Sequence, residues 1–161
     1  MTFETDAKRG VLNHYGVRTT NQKFGGITCP ELVKTAVWVF NYNDLPDAAT
    51  DNLGLSIPAY SKILSARFEV LTAFTSTSTT TDLDVGLQTS AGVEIDNDGL
   101  LTAAVLTQTA IATRGNFYTG AGALVGASIG ANAGELVVTP TANDLLTGKA
   151  RVIVEYITEG V

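Results

Sequence analysis

The sequence predicts an all-β protein, an antiparallel β-sandwich or jelly roll with at most one short helix. Three observations predict this fold class. Apolar and polar residues alternate with a period of two along most segments after Thr35, and Gly, Pro and Asn/Asp turns separate these segments at short intervals. No repeated helical segment is present that would connect parallel strands. A chain of 161 residues is long enough to build one core without disulfides or metal.

Residues 1–34 differ from the rest and are predicted to form an extended N-terminal arm, while residues 35–161 form the sandwich core. The arm holds five of the ten basic residues, and its apolar residues follow neither the helical nor the strand period. Gly25-Gly26 and Cys29-Pro30 predict turns. A disordered tail is the alternative. A docked arm is favoured because it would bury the large apolar side chains of the segment, which include Leu12, Tyr15, Phe24 and Ile27.

The first strands are predicted from alternation. Thr35–Tyr42 carries apolar residues on both faces, so we expect it to be covered on both sides. A short strand over Leu53–Ile57 is expected to stop at Pro58, which cannot pair within a sheet. Ile63–Phe74 is the longest predicted strand, and one of its faces carries Ala66, Phe68, Val70, Thr72 and Phe74.

The middle of the chain predicts a hairpin and two turns. Thr75–Thr81 consists of Thr and Ser alone and is predicted to be a solvated hairpin end. Leu83–Gln88 is predicted to be the return strand, with one face in water. Val93–Ile95 is predicted to be a short strand, and Asp96–Gly99 to be a tight turn.

The last third holds the one ambiguous segment, Leu100–Ala112, which fits a short helix slightly better than a strand. Gly115–Tyr118 is predicted to be a turn leading into a short aromatic edge. Further short strands are predicted at the segments Leu124–Ile129, Glu135–Thr139 and Lys149–Ile157.

Charge excludes several functional classes. The formal net charge is −6 and the pI is about 4.6, so the chain repels phosphate, which argues against binding to nucleic acid or to an anionic membrane. Charged residues make up only 16% of the chain, below the average of about 25%. We therefore expect a surface of small polar residues that neighbouring proteins cover. The single Cys29 permits no intrachain disulfide, and no signal peptide is predicted.

No set of residues supports catalysis. Gly126–Gly130 matches the Gly-x-Ser-x-Gly pattern of hydrolases, but Ser128 would need a His base that follows it. The only His, His14, precedes it in the predicted arm. His14 and Cys29 would need preorganisation to act together as base and nucleophile. We therefore predict that the protein is not an enzyme.

The turn Asp96–Gly99 resembles half of a calcium loop, since carboxylates alternate before a Gly. The closing Glu is absent, and Val105 stands in its place. A structural turn is the favoured interpretation, with an adventitious cation site as the alternative. No metal site and no cofactor is predicted.

A series of short motifs extends over nearly the whole chain. In order, they are Tyr15-Gly16-x-Arg18-Thr19, Gly25-Gly26, Ala36–Tyr42 with Asp44-Leu45-Pro46, Ser56-Ile57-Pro58-Ala59, Asp84-Val85-Gly86-Leu87, Ile95-Asp96-x-Asp98-Gly99, Gly122-Ala123-Leu124-Val125-Gly126, and Gly148-Lys149-Ala150-Arg151 leading into Val154-Glu155-Tyr156-Ile157. Their order and spacing together resemble small virion proteins of tailed bacteriophages, the capsid decoration or cement proteins.

This resemblance implies a structural virion protein with a β-sandwich or jelly-roll core. It implies binding to the outer surface of the major capsid protein lattice, stabilisation of the expanded head, and self-association, often as a homotrimer. The protein would be made in the host cytoplasm and function on the virion. Because the arm is basic and aromatic on an acidic body, we expect the arm to contact the capsid through Tyr15, Arg18, Lys23, Phe24 and Ile27.

Two other functions stay open. A tail or fibre-associated virion module is one, although no long shaft repeat is present. A carbohydrate-binding β-sandwich is the other, and it would need an aromatic platform on its surface. Trp38 is the only Trp and is expected in the core, which leaves Tyr42, Tyr60 and Tyr118 as possible surface aromatics.

Overall fold

The computed structural model describes residues 12–14, 26–28, 33–45, 56–78, 80–142 and 145–158. The chain divides into two compact units, residues 1–34 and residues 35–161. In the first unit, strands β1 (Leu12–His14) and β2 (Gly26–Thr28) pair antiparallel, with Leu12 opposite Thr28. The role of residues 1–34 as an arm stays a prediction.

The described residues of the second unit form eight strands and one short helix, and the first of these strands begins at Lys34. In chain order they are β3 (Lys34–Asn41), β4 (Ser56–Ile57), β5 (Lys62–Ser76), β6 (Leu83–Gln88), β7 (Glu94–Leu101), α1 (Gln108–Ile111), β8 (Phe117–Thr119), β9 (Gly134–Pro140) and β10 (Leu145–Ile157).

These strands form two four-stranded sheets. Sheet I has the order β3-β10-β5-β8, and sheet II has the order β4-β9-β6-β7. The long strands β5 and β10 pair antiparallel at the centre of sheet I, from Leu145 opposite Ser76 to Ile157 opposite Lys62. In sheet II, β6 pairs antiparallel with β9 on one side and β7 on the other. The predicted all-β antiparallel sandwich is therefore confirmed.

The core lies between the sheets, where the inward side chains of both are buried together. Phe40 of β3 and Phe68 of β5 contact each other edge to face, with ring centroids 6.3 Å apart. Trp38 is only 3% exposed, which confirms that it packs in the core. Sheet II contributes apolar side chains from each of its strands, including Ile57, Val85, Leu87, Leu100 and Leu136.

Two carboxylates at the start of β6 hold the segment between β7 and β8 against the sandwich. Oδ1 of Asp82 accepts a hydrogen bond from the backbone N–H of Gln108 at 2.8 Å, and Oδ1 of Asp84 accepts one from the N–H of Ala103. Thr107 caps the short helix α1. The ambiguous segment Leu100–Ala112 therefore contains both elements. Its first two residues are the end of β7, and only the four residues of α1 are helical.

Several sequence predictions need correction in sheet II. The predicted turn Asp96–Gly99 lies within β7, whose pairing with β6 has register shifts. Gly86 makes this possible because a Cβ there would collide with the backbone of Asp96 and Asn97. We expected one face of β6 to lie in water. The backbone of β7 lies against Gly86 on this face, and both Gly86 and Gln88 are buried.

Two other segments differ from their predictions. Residues 124–129 form turns instead of a strand. They contact β5 through the bridge between Lys62 and Ser128 and through backbone hydrogen bonds of Gly126 and Ala127 with Ile63. Leu124 and Ile129 still reach the core, because core packing needs the side chains but not strand pairing. The segment Thr75–Thr81 is less solvated than predicted, since β5 continues to Ser76 and Thr81 is fully buried.

Candidate interaction surface

The outward face of sheet I is the candidate interaction surface. Alternation turns every second residue of its strands away from the core. Val37 and Val39 of β3 are 44% and 48% exposed, and Phe117 of β8 is 51% exposed. Ile153 of β10 lies between them and is half-buried. The expectation that β3 would be covered on both sides is wrong for this chain by itself, because its outward side chains face solvent.

Ion pairs cross the middle of this face. Nε of Arg151 donates to Oε2 of Glu69 at 3.0 Å, and Nη2 of the same guanidinium also contacts this oxygen. Ser65 Oγ donates to Oε2 of Glu155 at 2.7 Å, and Arg67 Nη2 lies 4.0 Å from the same atom. The central charges of the face are therefore balanced within it, and the most exposed apolar groups, Val37, Val39 and Phe117, lie on the edge strands.

The two sheets carry opposite charge. The strands of sheet I contain five basic residues and two acidic ones, Glu69 and Glu155. The strands of sheet II contain no Lys or Arg, and their five carboxylates belong to Asp84, Glu94, Asp96, Asp98 and Glu135. Three of these five lie on β7 alone. The net negative charge of the described sandwich is therefore concentrated on sheet II.

The acidic residues of β7 affect one another. Burial raises the pKa of the Asp96 carboxyl, and a side-chain hydrogen bond with Asp98 and the negative charges of Asp98 and Glu94 raise it further. A backbone hydrogen bond from Asp98 acts in the opposite direction. Among the described residues, no three His, Cys, Asp or Glu side chains come together in a way that could hold a metal ion.

The Gly-x-Ser-x-Gly segment has a structural role. Ser128 is exposed, and its Oγ accepts a hydrogen bond from the N–H of Gly130 at 3.3 Å. Gly126 and Gly130 both have positive φ, a conformation that Gly adopts without strain. The segment is thus a tight turn closed by a hydrogen bond to its own hydroxyl group.

Two shallow clefts are present in the described part of the sandwich. One, of about 270 Å³, lies at the end of β3 and is lined by Tyr42, Asn43, Leu45, Pro140 and Leu145. The other, of about 440 Å³, lies beside α1 and is lined by Phe74, Thr75, Ser76, Ser78, Gln108, Thr109 and Ala112. Neither is lined by an Asp, Glu, His, Cys, Lys or Arg. None of the described helices is long and apolar enough to cross a membrane.

The predicted capsid-contact residues lie outside what the structure describes at side-chain level. Tyr15, Arg18, Lys23 and Phe24 are not among the described residues, and Ile27 is described only as a backbone position of β2. The surface that sequence reasoning missed is the outward face of β3. The sequence does show that Val37 and Val39 alternate with the buried residues of this strand. The alternation alone does not tell whether this second apolar face is covered by the chain itself or by another protein.

The fold is similar to chains in three solved phage capsid structures. The first is the cyanophage Pam1 capsid asymmetric unit, with a TM-score of 0.50, 20% identity, and coverage of 79% of this chain and 85% of that chain. The second is the acidic stable capsid structure of Helicobacter pylori bacteriophage KHP30, with a TM-score of 0.51, 17% identity, and coverage of 81% of this chain and 90% of that chain. The third is the capsid of Ralstonia phage GP4, with a TM-score of 0.50, 15% identity, and coverage of 83% of this chain and 91% of that chain.

The likeness shows a shared fold. It extends over most of the length of each chain on both sides of the comparison. No protein-family model matches this chain, and no curated protein matches it.

Proposed function

We propose that this chain is a structural, non-enzymatic protein of a tailed-phage virion, and more narrowly a capsid decoration protein. In this proposal it binds the outer surface of the major capsid protein lattice and stabilises the expanded head. The observation that carries the proposal is the fold shared with chains in three phage capsid structures. The order of the sequence motifs supports the same assignment.

The physical basis of the function is linkage. A protein that binds only the assembled, expanded lattice lowers the free energy of that state and leaves the others unchanged. Many copies bind side by side, so a modest affinity for each site adds up over the particle. This role needs a rigid core and an open contact surface. The sandwich supplies the core, and the outward face of sheet I, with Val37, Val39 and Phe117, supplies exposed apolar area.

The finer parts of the proposal concern partners. We infer that the major capsid protein is contacted by residues 1–34 through Tyr15, Arg18, Lys23, Phe24 and Ile27, and that the chain associates with itself as a homotrimer. The support for the arm contact is charge: Arg18 and Lys23 belong to a basic segment on a chain with net charge −6. An acidic capsid surface would attract this segment and repel the sandwich.

The test uses phage particles that lack this protein. Adding the purified chain back should give co-sedimentation with the particles and should raise the temperature at which they release DNA. A full chain that does not co-sediment with particles would overturn the proposed function.

The arm contact has a separate test. Reversing charge with Arg18→Glu and Lys23→Glu should weaken binding to particles strongly. Arg114→Glu is the matched control, because Arg114 lies in an exposed turn of the sandwich. Equal binding by both variants would remove the arm from the contact but leave the decoration function standing.

A further inference from the structure

The two sheets have four edge strands, and three of them are closed to further pairing. β4 has two residues and β8 has three, too short to template another strand. β7 carries Glu94, Asp96 and Asp98 and has register shifts, both of which disfavour pairing. The fourth edge, β3, is eight residues long and has no charged side chain from Thr35 to Asn43.

The backbone of β3 is oriented for pairing. The N–H of Tyr42 donates to the carbonyl oxygen of Gly148 in β10 at 2.9 Å. Backbone groups of successive strand residues point to opposite sides, so the odd-numbered residues of β3 direct their N–H and C=O groups to the open edge. These are Thr35, Val37, Val39 and Asn41. Among the strands that the structure describes, none pairs with β3 on that side.

We propose that a second copy of this chain docks on this edge, with the two β3 strands antiparallel across a two-fold axis. The two copies of sheet I then form one continuous eight-stranded sheet. In the register that uses all four outward-directed residues, Val37 of each copy lies opposite Val39 of the other, and Thr35 lies opposite Asn41. Each pair of Val37 with Val39 exchanges two hydrogen bonds. Each pair of Thr35 with Asn41 adds one, because the carbonyl oxygen of Asn41 already accepts from the N–H of Asp44 at 3.1 Å. The contact therefore contains about six hydrogen bonds.

The distribution of charge determines which edge two copies of this chain can share. Two chains of net charge −6 repel each other, and they meet at lowest cost where the contact strip is neutral and the acidic groups are far apart. After Lys34 at its start, β3 supplies the neutral strip over residues 35–41. The acidic strand β7 lies on the other side of the sandwich, since the loop after β8 bonds both Ala66 of β5 and Leu100 of β7. The pairing keeps the two β7 strands apart.

The side chains of the pairing also complement each other. Val37 and Val39 lie on the outward face, 44% and 48% exposed, and cross-strand pairs of β-branched residues stabilise a sheet. A contact of one strand edge is small compared with the roughly 1,600 Å² of a stable interface. We therefore expect a weak dimer in solution that becomes effective when copies are held side by side. A homotrimer would be formed through another surface, because a two-fold contact joins copies in pairs.

The test uses two charge variants of the full chain, one with Val37→Lys and Val39→Lys and one with Val37→Glu and Val39→Glu. In the proposed register each variant places like charges opposite each other, so its self-association should weaken at least about tenfold by sedimentation velocity. An equal mixture places Lys opposite Glu and should associate at least as strongly as the unchanged chain. Val93→Lys is the control, because Val93 is 62% exposed and lies outside β3.

The result that overturns the proposal is equal self-association of the unchanged chain and both variants, or a mixture no stronger than either variant alone. Hydrogen exchange on the unchanged chain gives an independent readout. The amides of Val37 and Val39 should become protected as protein concentration rises. Protection that appears only when capsid particles are added would assign the edge to another protein and would also overturn the two-fold contact. Neither measurement depends on capsid binding, so failure here leaves the proposed function untouched.

Discussion

Arg151 and Glu69 lie opposite each other in the β5–β10 pair, and Nε of Arg151 donates to Oε2 of Glu69 at 3.0 Å. The side chains are 39% and 25% exposed. A partly exposed pair of this kind contributes little, because water screens the charges and two side chains lose freedom.

We expect a double-mutant cycle with Glu69→Gln and Arg151→Met to give a coupling energy of at most about 1 kcal/mol. The coupling should shrink as salt is added, since salt screens exposed charges. Chemical denaturation at low and high salt measures both. A coupling well above this value, unchanged by salt, would show that the pair acts as a buried one.

The aromatic pair of the core predicts a much larger effect. Phe68 is fully buried and contacts Phe40 with ring centroids 6.3 Å apart. Phe68→Ala should lower the free energy of unfolding by about 3–5 kcal/mol, through lost burial and the cavity left behind. Phe117→Ala is the matched control. It removes an aromatic ring that is 51% exposed from the adjacent strand, and it should change stability by less than about 0.5 kcal/mol. Similar losses for the two variants would contradict the assignment of inward and outward faces.

Substitution of two glycines by Ala distinguishes the cost of a steric collision from the cost of a strained backbone. Gly148 and Gly126 both have positive φ, at 144° and 87°, so an Ala at either position is strained. Only at Gly148 would the added Cβ collide with a side chain, the ring of Phe74, whereas nothing lies within 4 Å at Gly126. Gly126→Ala should cost about 1–2 kcal/mol and Gly148→Ala clearly more. Thermal unfolding of the two variants compares them, and equal losses would mean that Phe74 moves aside freely.

Stability should depend on pH through Asp96. Burial raises the pKa of this carboxyl, so the folded state holds the proton more tightly than the unfolded state does. The stability of the unchanged chain therefore falls as pH rises from the ordinary pKa of Asp to the raised one. Asp96→Asn removes the charge and should be the more stable protein at neutral pH. Its advantage should vanish once the pH falls below the ordinary Asp value.

Melting curves of both proteins from neutral pH down to about pH 3 test this pKa effect. Asp98→Asn is a useful companion, since removing its charge should lower the pKa of Asp96 and reproduce part of the gain. An Asp96→Asn variant that is less stable at neutral pH would show that the hydrogen bond from the N–H of Asp98 outweighs the cost of burial.

The sequence predicted the long strands well because their alternation is strong. Ala66, Phe68 and Val70 are buried as expected, while Thr72, expected on the same face, is exposed where the register with β10 shifts. The turn predicted at Asp96–Gly99 is part of a strand instead. Pairing of β7 with β6 outweighs the local preference of these residues for a turn, because Gly86 has no side chain to keep the two strands apart. Such long-range contacts leave no local mark in the sequence.

The candidate surface was only half predictable. The sequence showed that both faces of β3 carry apolar groups, but a chain read alone does not tell whether its own residues or another protein cover Val37 and Val39. The Gly-x-Ser-x-Gly segment was predicted to lie in a short strand and forms turns instead, because Gly126 and Gly130 adopt positive φ.

The central pair of sheet I also affects how the protein is made. Arg151 and Glu69 are 82 residues apart in sequence, and β10 separates β3 from β5 in the sheet. During synthesis β3 therefore has no partner in sheet I, and β5 has only the three-residue strand β8, until β10 emerges from the ribosome. Until then the apolar side chains of Phe40 and Phe68 lack the cover that β10 provides in the folded sheet.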